Sequence, residues 1–246
     1  MKHLKTYFLY ISIVLISLSF PYDAQATNAM KLIGIGPVQR AMGGASVGLP
    51  LDSATTITNP AGISRLSKRV DFGVSYFSPN PKYSATGPQI TTNNKVVKTN
   101  GNSFVIPAFG MVMPWNDKWS YGFGAYGVGG MGVDYASNLF GNVTYTEYAF
   151  LKFAPAVAYS FNDRLTFGFA PNGNWASMNF NAGAPGTPHS GGSAYGIGFT
   201  AGFLYDVSDV LTIGLAYESQ QWFQDFEFNT TSGRDALHFD QPQSAT

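Results

Sequence analysis

The sequence predicts an all-β protein, a transmembrane antiparallel β-barrel preceded by a small, mostly non-strand N-terminal domain. Aromatic residues make up 15% of the chain and charged residues only 11%, whereas soluble domains average about 25% charged residues. From Arg69 onwards, apolar side chains recur at every second position, which is the period of β-strands with two different faces. Short and long connections alternate between these segments, as they do in transmembrane barrels.

The first 26 residues have the layout of a secretory signal peptide. Lys2 and Lys5 give a basic start, residues 7–20 form an apolar run, and residues 24–26 supply a small-residue cleavage site. An N-terminal membrane anchor is the alternative, but a spanning helix needs about 20 apolar residues. We therefore predict a signal peptide at residues 1–26 and export to the bacterial cell outer membrane.

The remainder of the chain divides at residue 68. Residues 27–68 are rich in small residues and lack sustained alternation, which predicts a compact domain. Residues 69–246 predict an incomplete barrel of about seven strands and the start of an eighth. A soluble β-sandwich would place charges on its outer face, but the second face here is mostly Gly, Ala, Ser and Thr. The predicted strands cover residues 70–76, 103–113, 119–130, 145–161, 165–170, 195–203 and 211–218.

The connections give the predicted barrel its orientation. Tight turns lie at residues 116–118, 162–164 and 206–209, and aromatic residues flank each of them, as expected at a membrane–water boundary. Long connections separate the other strands, including residues 80–102 and 181–193. Seven strands cannot close an even-stranded barrel, and an open edge in lipid leaves backbone groups unpaired. We therefore expect this sequence to be the N-terminal part of a longer protein.

Several functional classes lack support in the sequence. Cysteine is absent and the formal net charge is zero, which gives no basis for thiolate metal sites or nucleic-acid binding. The histidines, His3, His189 and His238, have no patterned nucleophile or metal-ligand partner. Two Gly-x-Gly-x-x-Gly matches, at residues 122–127 and 127–132, lack the helix that a nucleotide site needs. We predict no enzyme, no cofactor and no metal.

One motif in the N-terminal domain is informative. Asn59 suits a helix N-cap, and Pro60 suits the first helical position before Ala61. With residues 34–45 and 52–58, the motif resembles the hatch of the FadL family, outer-membrane transporters of long-chain fatty acids with TodX-like relatives that take up aromatic hydrocarbons. Residues 239–244 are similar to the Pro-containing start of that family's eighth strand. The loop at residues 181–193 departs from the fatty-acid members, in which it is long and helps to capture the ligand.

The resemblance implies a fourteen-stranded barrel plugged by a hatch, with lateral exit of the ligand beside a kinked third strand. The third strand here carries Gly122, Gly124 and Gly127, which we take as a candidate lateral gate because glycine weakens strand pairing. The alternative is that these glycines make room for the hatch.

Strand parity suggests which side chains face the lumen. If Leu211 and its alternate neighbours face lipid, the inward set of candidate ligand contacts is Tyr148, Phe150, Glu218, Trp222 and Phe226. Alternatively, Trp222 and Phe226 belong to an outer aromatic girdle or to a loop above the membrane.

The predicted function is passive transport of hydrophobic compounds, either long-chain fatty acids or aromatic hydrocarbons. The expected partners are that small molecule and outer-membrane lipid, and the expected state is a monomer. A general porin and a structural or adhesin-type barrel are the alternatives. A porin would line its lumen with charges, which are sparse at the inward positions, and a structural barrel needs no plug.

Overall fold

The computed structural model describes residues 30–78, 81–84, 96–99, 103–135, 145–181, 191–230 and 233–246 of the chain. The predicted signal peptide, His3 and His189 lie outside the described residues. Residues 30–68, which we call the N-terminal segment, contain α1 (Gly36–Ala41), α2 (Thr55–Thr58) and one 3-10 helix (Pro60–Arg65). Among the described residues, no helix has both the length and the apolar character required to cross a membrane.

The rest of the described chain is built almost wholly from β-strands. In chain order these are β1 (Arg69–Phe77), β2 (Lys82–Tyr83), β3 (Val97–Lys98), β4 (Phe104–Pro114), β5 (Trp119–Asp134), β6 (Tyr145–Ser160), β7 (Leu165–Asn181), β8 (Gly191–Ser208), β9 (Leu211–Glu218), β10 (Trp222–Phe223), β11 (Phe226–Thr230), β12 (Gly233–Leu237) and β13 (Ser244–Ala245).

One antiparallel sheet dominates this structure. Its strand order is β1-β4-β5-β6-β7-β8-β9-β13, and β10 pairs with β8. The pairs β2–β3 and β11–β12 form separate hairpins. Seven long strands and a short eighth therefore follow one another in chain order, as they do in an up-and-down barrel wall. The predicted all-β, antiparallel class is confirmed.

Several strands extend beyond their predicted ends, most clearly β7. The predicted strand ends at Ala170, directly before Pro171, and proline cannot donate a ladder hydrogen bond. In the structure β7 continues to Asn181. The β6–β7 register runs to Phe153↔Gly173 and resumes at Val157↔Phe169, so the prolines at 155 and 171 fall within a short interruption. The long ladders on both sides carry the strand past it.

The two faces of the sheet differ as expected for a barrel wall. Outward side chains are large, apolar and exposed, for example Phe72 at 83% and Val70 at 65%. Near the tight turns, outward rings form a continuous belt in which neighbouring ring centroids lie about 5 to 6 Å apart: Trp119–Tyr159 4.6 Å, Tyr159–Phe161 5.2 Å, Phe161–Phe167 5.8 Å and Phe167–Phe203 5.3 Å. An exposed apolar face with an aromatic rim suits contact with hydrocarbon rather than with water.

The N-terminal segment lies on the inward face, against the half of the sheet nearest the tight turns. Its 3-10 helix contacts β6, β7 and β8, and α2 contacts β5 and β6. The inward residues of this half are small, including Ala154, Ala158 and Ala170, all of them buried. The half of the sheet nearest the long connections is left to larger inward side chains, which form the site described next.

Candidate functional site

Asn59 joins the N-terminal segment to the inner wall. Its side chain is fully buried, and its Oδ1 accepts a hydrogen bond from the backbone N–H of Ala61 at 3.1 Å. Its Nδ2 donates to the carbonyl oxygens of Val47 at 2.7 Å and Phe203 at 3.2 Å. The same side chain thus caps the 3-10 helix and attaches it to β8, which explains why an amide is needed before Pro60.

Glycines in β5, β7 and β8 make room for the segment. A Cβ on Gly168 would lie 2.0 Å from the nitrogen of Ala61, and one on Gly202 would lie 2.0 Å from Oδ1 of Asn59. On β5, a Cβ on Gly122 would lie 2.9 Å from Cγ2 of Thr56, and one on Gly124 would lie 2.3 Å from its Oγ1. Two of the three glycines proposed for the lateral gate, Gly122 and Gly124, thus lie against α2, in agreement with the alternative interpretation that they make room for the hatch.

A polar network attaches the other side of the segment to β1. The backbone N–H of Ser53 donates to Oδ2 of Asp71 at 2.8 Å, and Arg69 donates both to Asp71 and to the carbonyl oxygen of Leu51. Asp52 is 4% exposed in the adjoining turn, and burial raises the pKa of its carboxyl group. The segment is therefore held at β1 by charge-assisted hydrogen bonds as well as at β8 by Asn59.

The sheet has an opening between β4 and β5. Their register runs from Pro114↔Ser120 to Ala108↔Tyr126 and stops there, although β5 continues to Asp134. A bulge between Gly127 and Gly129 follows at once on the β6 side of β5. A cavity of about 320 Å³ lies at this position. It is lined by residues of β4, β5 and β6 together with Leu32, and among them are Phe104, Ile106, Gly127, Met131, Ala149 and Phe150.

The start of the N-terminal segment covers the inner side of this opening. The backbone N–H of Leu32 donates to the carbonyl oxygen of Val128 at 3.1 Å, and the backbone N–H of Gly130 donates to the carbonyl oxygen of Met30 at 2.8 Å. A Cβ on Gly129 would lie 2.6 Å from the carbonyl oxygen of Met30. Residues 30–32 therefore pair with the bulge of β5, and we call them the inner strand. Only glycine at position 129 allows the backbone of Met30 to approach β5 so closely.

Two residues are shared by the wall cavity and a cavity in the interior. A second cavity, of about 440 Å³, lies between the N-terminal segment and the inner face of β6, β8 and β9. Leu32 and Phe150 line both cavities. A molecule that passed from the interior to the wall opening would move past these two side chains.

Aromatic side chains fill the inner space nearest the long connections. The ring of Phe150 lies 5.6 Å from that of Phe223, which lies 6.1 Å from Phe226, and Tyr148 lies 5.9 Å from Phe239. We call these five residues the aromatic cluster. Tyr148, Phe150 and Phe226 were expected at the lumen from parity, and each is at most 3% exposed on the inward side. Phe223 and Phe239 were not predicted.

The structure corrects the inward position expected for Trp222. Trp222 pairs directly with Ile197 on the outer face of β8 and is 48% exposed. The parity argument treated residues 211–226 as one strand, but β9 ends at Glu218 and pairing resumes only at β10. Polar residues between the two strands shift the phase, so that Gln221 and Phe223 face inward instead.

A buried charged group lies next to the aromatic cluster. Nζ of Lys152 lies 2.6 Å from Oε1 of Glu218, and Nζ of Lys31 lies 3.4 Å from Oε2 of the same carboxylate. Glu218 faces inward as predicted, and so does Lys152, which strand parity also places on the inward face with Tyr148 and Phe150. The pairing between them and the contribution of Lys31 were not predicted. Lys31 gives no periodic signal, because it lies outside the strands.

This arrangement suits binding and passage of an apolar molecule. The described residues contain no group of three or more His, Asp or Glu side chains that could hold a metal ion. The aromatic cluster offers apolar contact, whereas polar atoms are few and mostly paired, which is typical of ligand pockets.

Comparison with known proteins gives a consistent result. The family model described as outer membrane protein transport protein (OMPP1/FadL/TodX) matches residues 14–235. No curated protein matches the chain. The family resemblance seen in the sequence is thus confirmed.

Solved structures of related barrels share the fold. The Ralstonia pickettii toluene transporter TbuX has a TM-score of 0.68 and 20% identity over 87% of this chain and 67% of its own. The P. putida toluene transporter TodX has a TM-score of 0.66 and 20% identity over 87% and 66%. The CymD monoaromatic hydrocarbon channel has a TM-score of 0.62 and 18% identity over 87% and 64%. The chain thus spans about two thirds of these structures, and at such identities the likeness concerns the fold.

Proposed function

This chain belongs to the OMPP1/FadL/TodX family of outer membrane transport proteins, and from that premise we propose that it carries hydrophobic small molecules passively across the outer membrane. The proposed ligands are aromatic hydrocarbons or long-chain fatty acids. Two of the similar structures are toluene transporters and a third is a monoaromatic hydrocarbon channel, which supports this ligand class. We propose a monomer without enzymatic activity, whose outward face contacts outer-membrane lipid.

The route that we propose runs from the aromatic cluster to the wall opening. Residues 27–68 act as the hatch that blocks a straight aqueous path, so a ligand leaves sideways. The observation that carries the proposal is that Leu32 and Phe150 line both the inner cavity and the wall cavity. An apolar ligand that moves past them enters hydrocarbon directly and keeps its apolar surface out of water, which favours this exit over an aqueous one.

Gly127 is the candidate gate residue that best suits a lateral exit. A Cβ at this position would lie 2.7 Å from Cγ2 of Ile106, so a larger side chain there would occupy the opening. The contact is with a side chain, so a χ1 rotation of Ile106 can relieve it without moving the backbone. Gly127→Leu should therefore narrow the exit while the barrel still folds.

Gly173→Leu provides the matched control, because a Cβ on Gly173 has no neighbour closer than 4.0 Å. Uptake of radiolabelled toluene and of a long-chain fatty acid would be measured in cells that lack their own transporter of this family. We expect uptake above background with the wild type and with Gly173→Leu, and at least a severalfold loss with Gly127→Leu. Equal uptake by the two variants would refute the lateral route.

A general porin and a structural barrel predict different results in the same cells. A porin would admit small sugars as fast as toluene, and a structural barrel would admit neither. Uptake of polar solutes at rates equal to those of apolar ones, or no uptake at all by the wild type, would refute the proposed function itself.

A further inference from the structure

A network of buried amide side chains lies beside the aromatic cluster. Asn172 and Asn174 project inward from β7 and are 2% and 3% exposed. Nδ2 of Asn174 donates to Oε1 of Gln221 at 2.8 Å, and Nδ2 of Asn172 donates to Oγ1 of Thr200 at 3.0 Å. Nδ2 of Asn172 also lies 3.4 Å from Oε1 of Gln221. Gln221 is fully buried and is the centre of this network.

The backbone sets the direction of every amide in the network. Nε2 of Gln221 donates to the carbonyl oxygen of Ser219 at 2.7 Å, and a carbonyl oxygen can only accept. Oε1 of Gln221 must therefore face the two asparagines, and both must present Nδ2 to it. Turning either asparagine amide over would bring two oxygens together. The Oδ1 atoms of Asn172 and Asn174 consequently point away from Gln221.

These two oxygens have no hydrogen-bond partner in the described part of the protein. Each has almost no exposed area, so water outside the protein does not solvate it. Buried polar atoms in proteins are almost always hydrogen-bonded, because an unpaired acceptor retains the full cost of losing its hydration. We call Asn172 and Asn174 the acceptor pair. Two such atoms on one face indicate a position that a donor group is meant to occupy.

The acceptor pair adjoins the proposed ligand site. Asn174 lies opposite Lys152 in the β6–β7 register and opposite Gly196 in the β7–β8 register. A Cβ on Gly196 would lie 2.8 Å from Cδ1 of Phe223, so this ring covers the wall beside Asn174. Phe223 in turn contacts Phe150 of the aromatic cluster. An aromatic ring bound against these two side chains would place a substituent near the acceptor pair.

We propose that the acceptor pair binds the hydroxyl group of a neutral hydroxylated aromatic compound, whose ring lies against the aromatic cluster. This inference rests on the proposed transport function and specifies its ligand class. A plain hydrocarbon has no donor for Asn172 and Asn174, and a carboxylate would face two carbonyl oxygens. The ammonium groups of Lys152 and Lys31 are both paired with Glu218, so neither is left free for an anion. Both Oδ1 atoms are buried, so a side chain that covers them must move when the ligand enters.

Paired probes that differ by one hydroxyl group test this assignment. Binding of para-ethylphenol, ethylbenzene and para-ethylbenzoate to the full chain in detergent would be measured by titration calorimetry. We expect the wild type to bind para-ethylphenol about fivefold to tenfold more tightly than ethylbenzene, since one net hydrogen bond corresponds to a difference of this size. The benzoate should bind most weakly of the three.

The variant Asn174→Leu removes one acceptor at nearly constant side-chain volume. It should abolish the preference for para-ethylphenol while leaving ethylbenzene affinity unchanged. Thr166→Val is the matched control, because Thr166 is a buried polar residue on the same face of β7, far from the aromatic cluster, where it contacts Ser160 at 3.2 Å. Retention of the ethylbenzene affinity by both variants shows that they are folded. If Asn174→Leu fails to fold, Asn174→Ser, which shortens the side chain, takes its place with the same expectation.

The outcomes separate this inference from the function on which it rests. Equal affinities of the wild type for the phenol and the hydrocarbon would overturn the hydroxyl site and leave hydrophobic transport intact. A preference for the phenol that survives both Asn174→Leu and Asn174→Ser would also overturn the hydroxyl site. The same conclusion would follow if Asn172 and Asn174 bound only an ordered water molecule. Failure of all three probes to bind would instead contradict the proposed function.

Discussion

Addition of one methyl group at Gly168 should displace the N-terminal segment from the barrel wall. A Cβ there would lie 2.0 Å from the nitrogen of Ala61 and 2.2 Å from the carbonyl carbon of Pro60, whereas ordinary contacts begin at 3.4 Å. Both neighbours are backbone atoms, so no side-chain rotation can relieve the overlap. The 3-10 helix must retreat by roughly 1 Å or more, at the cost of overpacking, roughly 1–3 kcal/mol. The three hydrogen bonds of Asn59, each worth about 1 kcal/mol, are strained by the same movement.

We therefore expect Gly168→Ala to lower the free energy of unfolding by about 2–4 kcal/mol. The control is Gly173→Ala on the same strand, where the added Cβ meets no atom closer than 4.0 Å. The two substitutions change backbone freedom in the same way, so their difference isolates the contact with the segment. Urea unfolding measured by tryptophan fluorescence gives the stability.

Ion conductance in planar bilayers reports whether the segment also blocks the interior. A loosened segment should raise the basal conductance of Gly168→Ala above that of the wild type, because ions leak past it. If Gly168→Ala matched Gly173→Ala in both stability and conductance, the close packing of the segment against β7 would be disproved, and with it the proposed role of residues 27–68 as a hatch.

Two further predictions concern charged groups. Glu218→Gln leaves the ammonium of Lys152, whose side chain is 2% exposed, without its carboxylate. Removing one partner of a buried ion pair costs about 3–5 kcal/mol, so the urea midpoint of unfolding should fall. Adding Lys152→Met should partly restore it, and an unchanged midpoint in Glu218→Gln would contradict the pairing. The hydrogen bond that Nδ1 of His238 donates to Oδ1 of Asp225 at 2.8 Å raises the pKa of His238, and the carboxylate of Asp240 adds to the effect. Because this pKa is raised in the folded state, protonated His238 stabilises the folded loop fully at pH values below the ordinary pKa of about 6.5. This stabilisation is lost as the pH rises through the pKa of the folded state. Amide hydrogen exchange at residues 238–241, corrected for its intrinsic pH dependence, should therefore accelerate over this pH range in the wild type but not in His238→Gln. Identical pH profiles of exchange in the two proteins would count against the contact between His238 and Asp225.

The sequence was sufficient to predict the strands because their signal is local. Alternation along a strand reports that its two faces meet different surroundings, and each face can be identified without knowledge of the neighbouring strand. Val70 and Phe72 show this at β1, where both are exposed on the outward face. The Asn59 motif was predictable for the same reason, since an N-cap involves only the next few residues. Tyr148 and Phe150 lie within one uninterrupted strand, so parity placed them on the inward side.

Features that depend on pairing between distant strands were not predictable. The opening exists because the β4–β5 register stops at Ala108↔Tyr126. Pro107 and Gly127 lie next to that stop and both weaken strand pairing, but prolines and glycines elsewhere in the sheet do not end a register, so their presence did not locate the opening. The bulge between Gly127 and Gly129 also reverses which side chains of β5 face inward. The interruption after Glu218 has the same effect on Trp222. A period of two conveys no information once a single residue is inserted or left unpaired.

The glycines of β5 illustrate why one residue type supported two interpretations. In the half of the strand near the tight turn, Gly124 receives α2, and a Cβ there would lie 2.3 Å from Oγ1 of Thr56. Beyond the bulge, Gly129 receives the inner strand, and a Cβ there would lie 2.6 Å from the carbonyl oxygen of Met30. Both glycines serve close approach of the N-terminal segment, but only the second lies at the opening. One strand therefore holds both α2 and the inner strand, so β5 fixes where Leu32 lies relative to the opening.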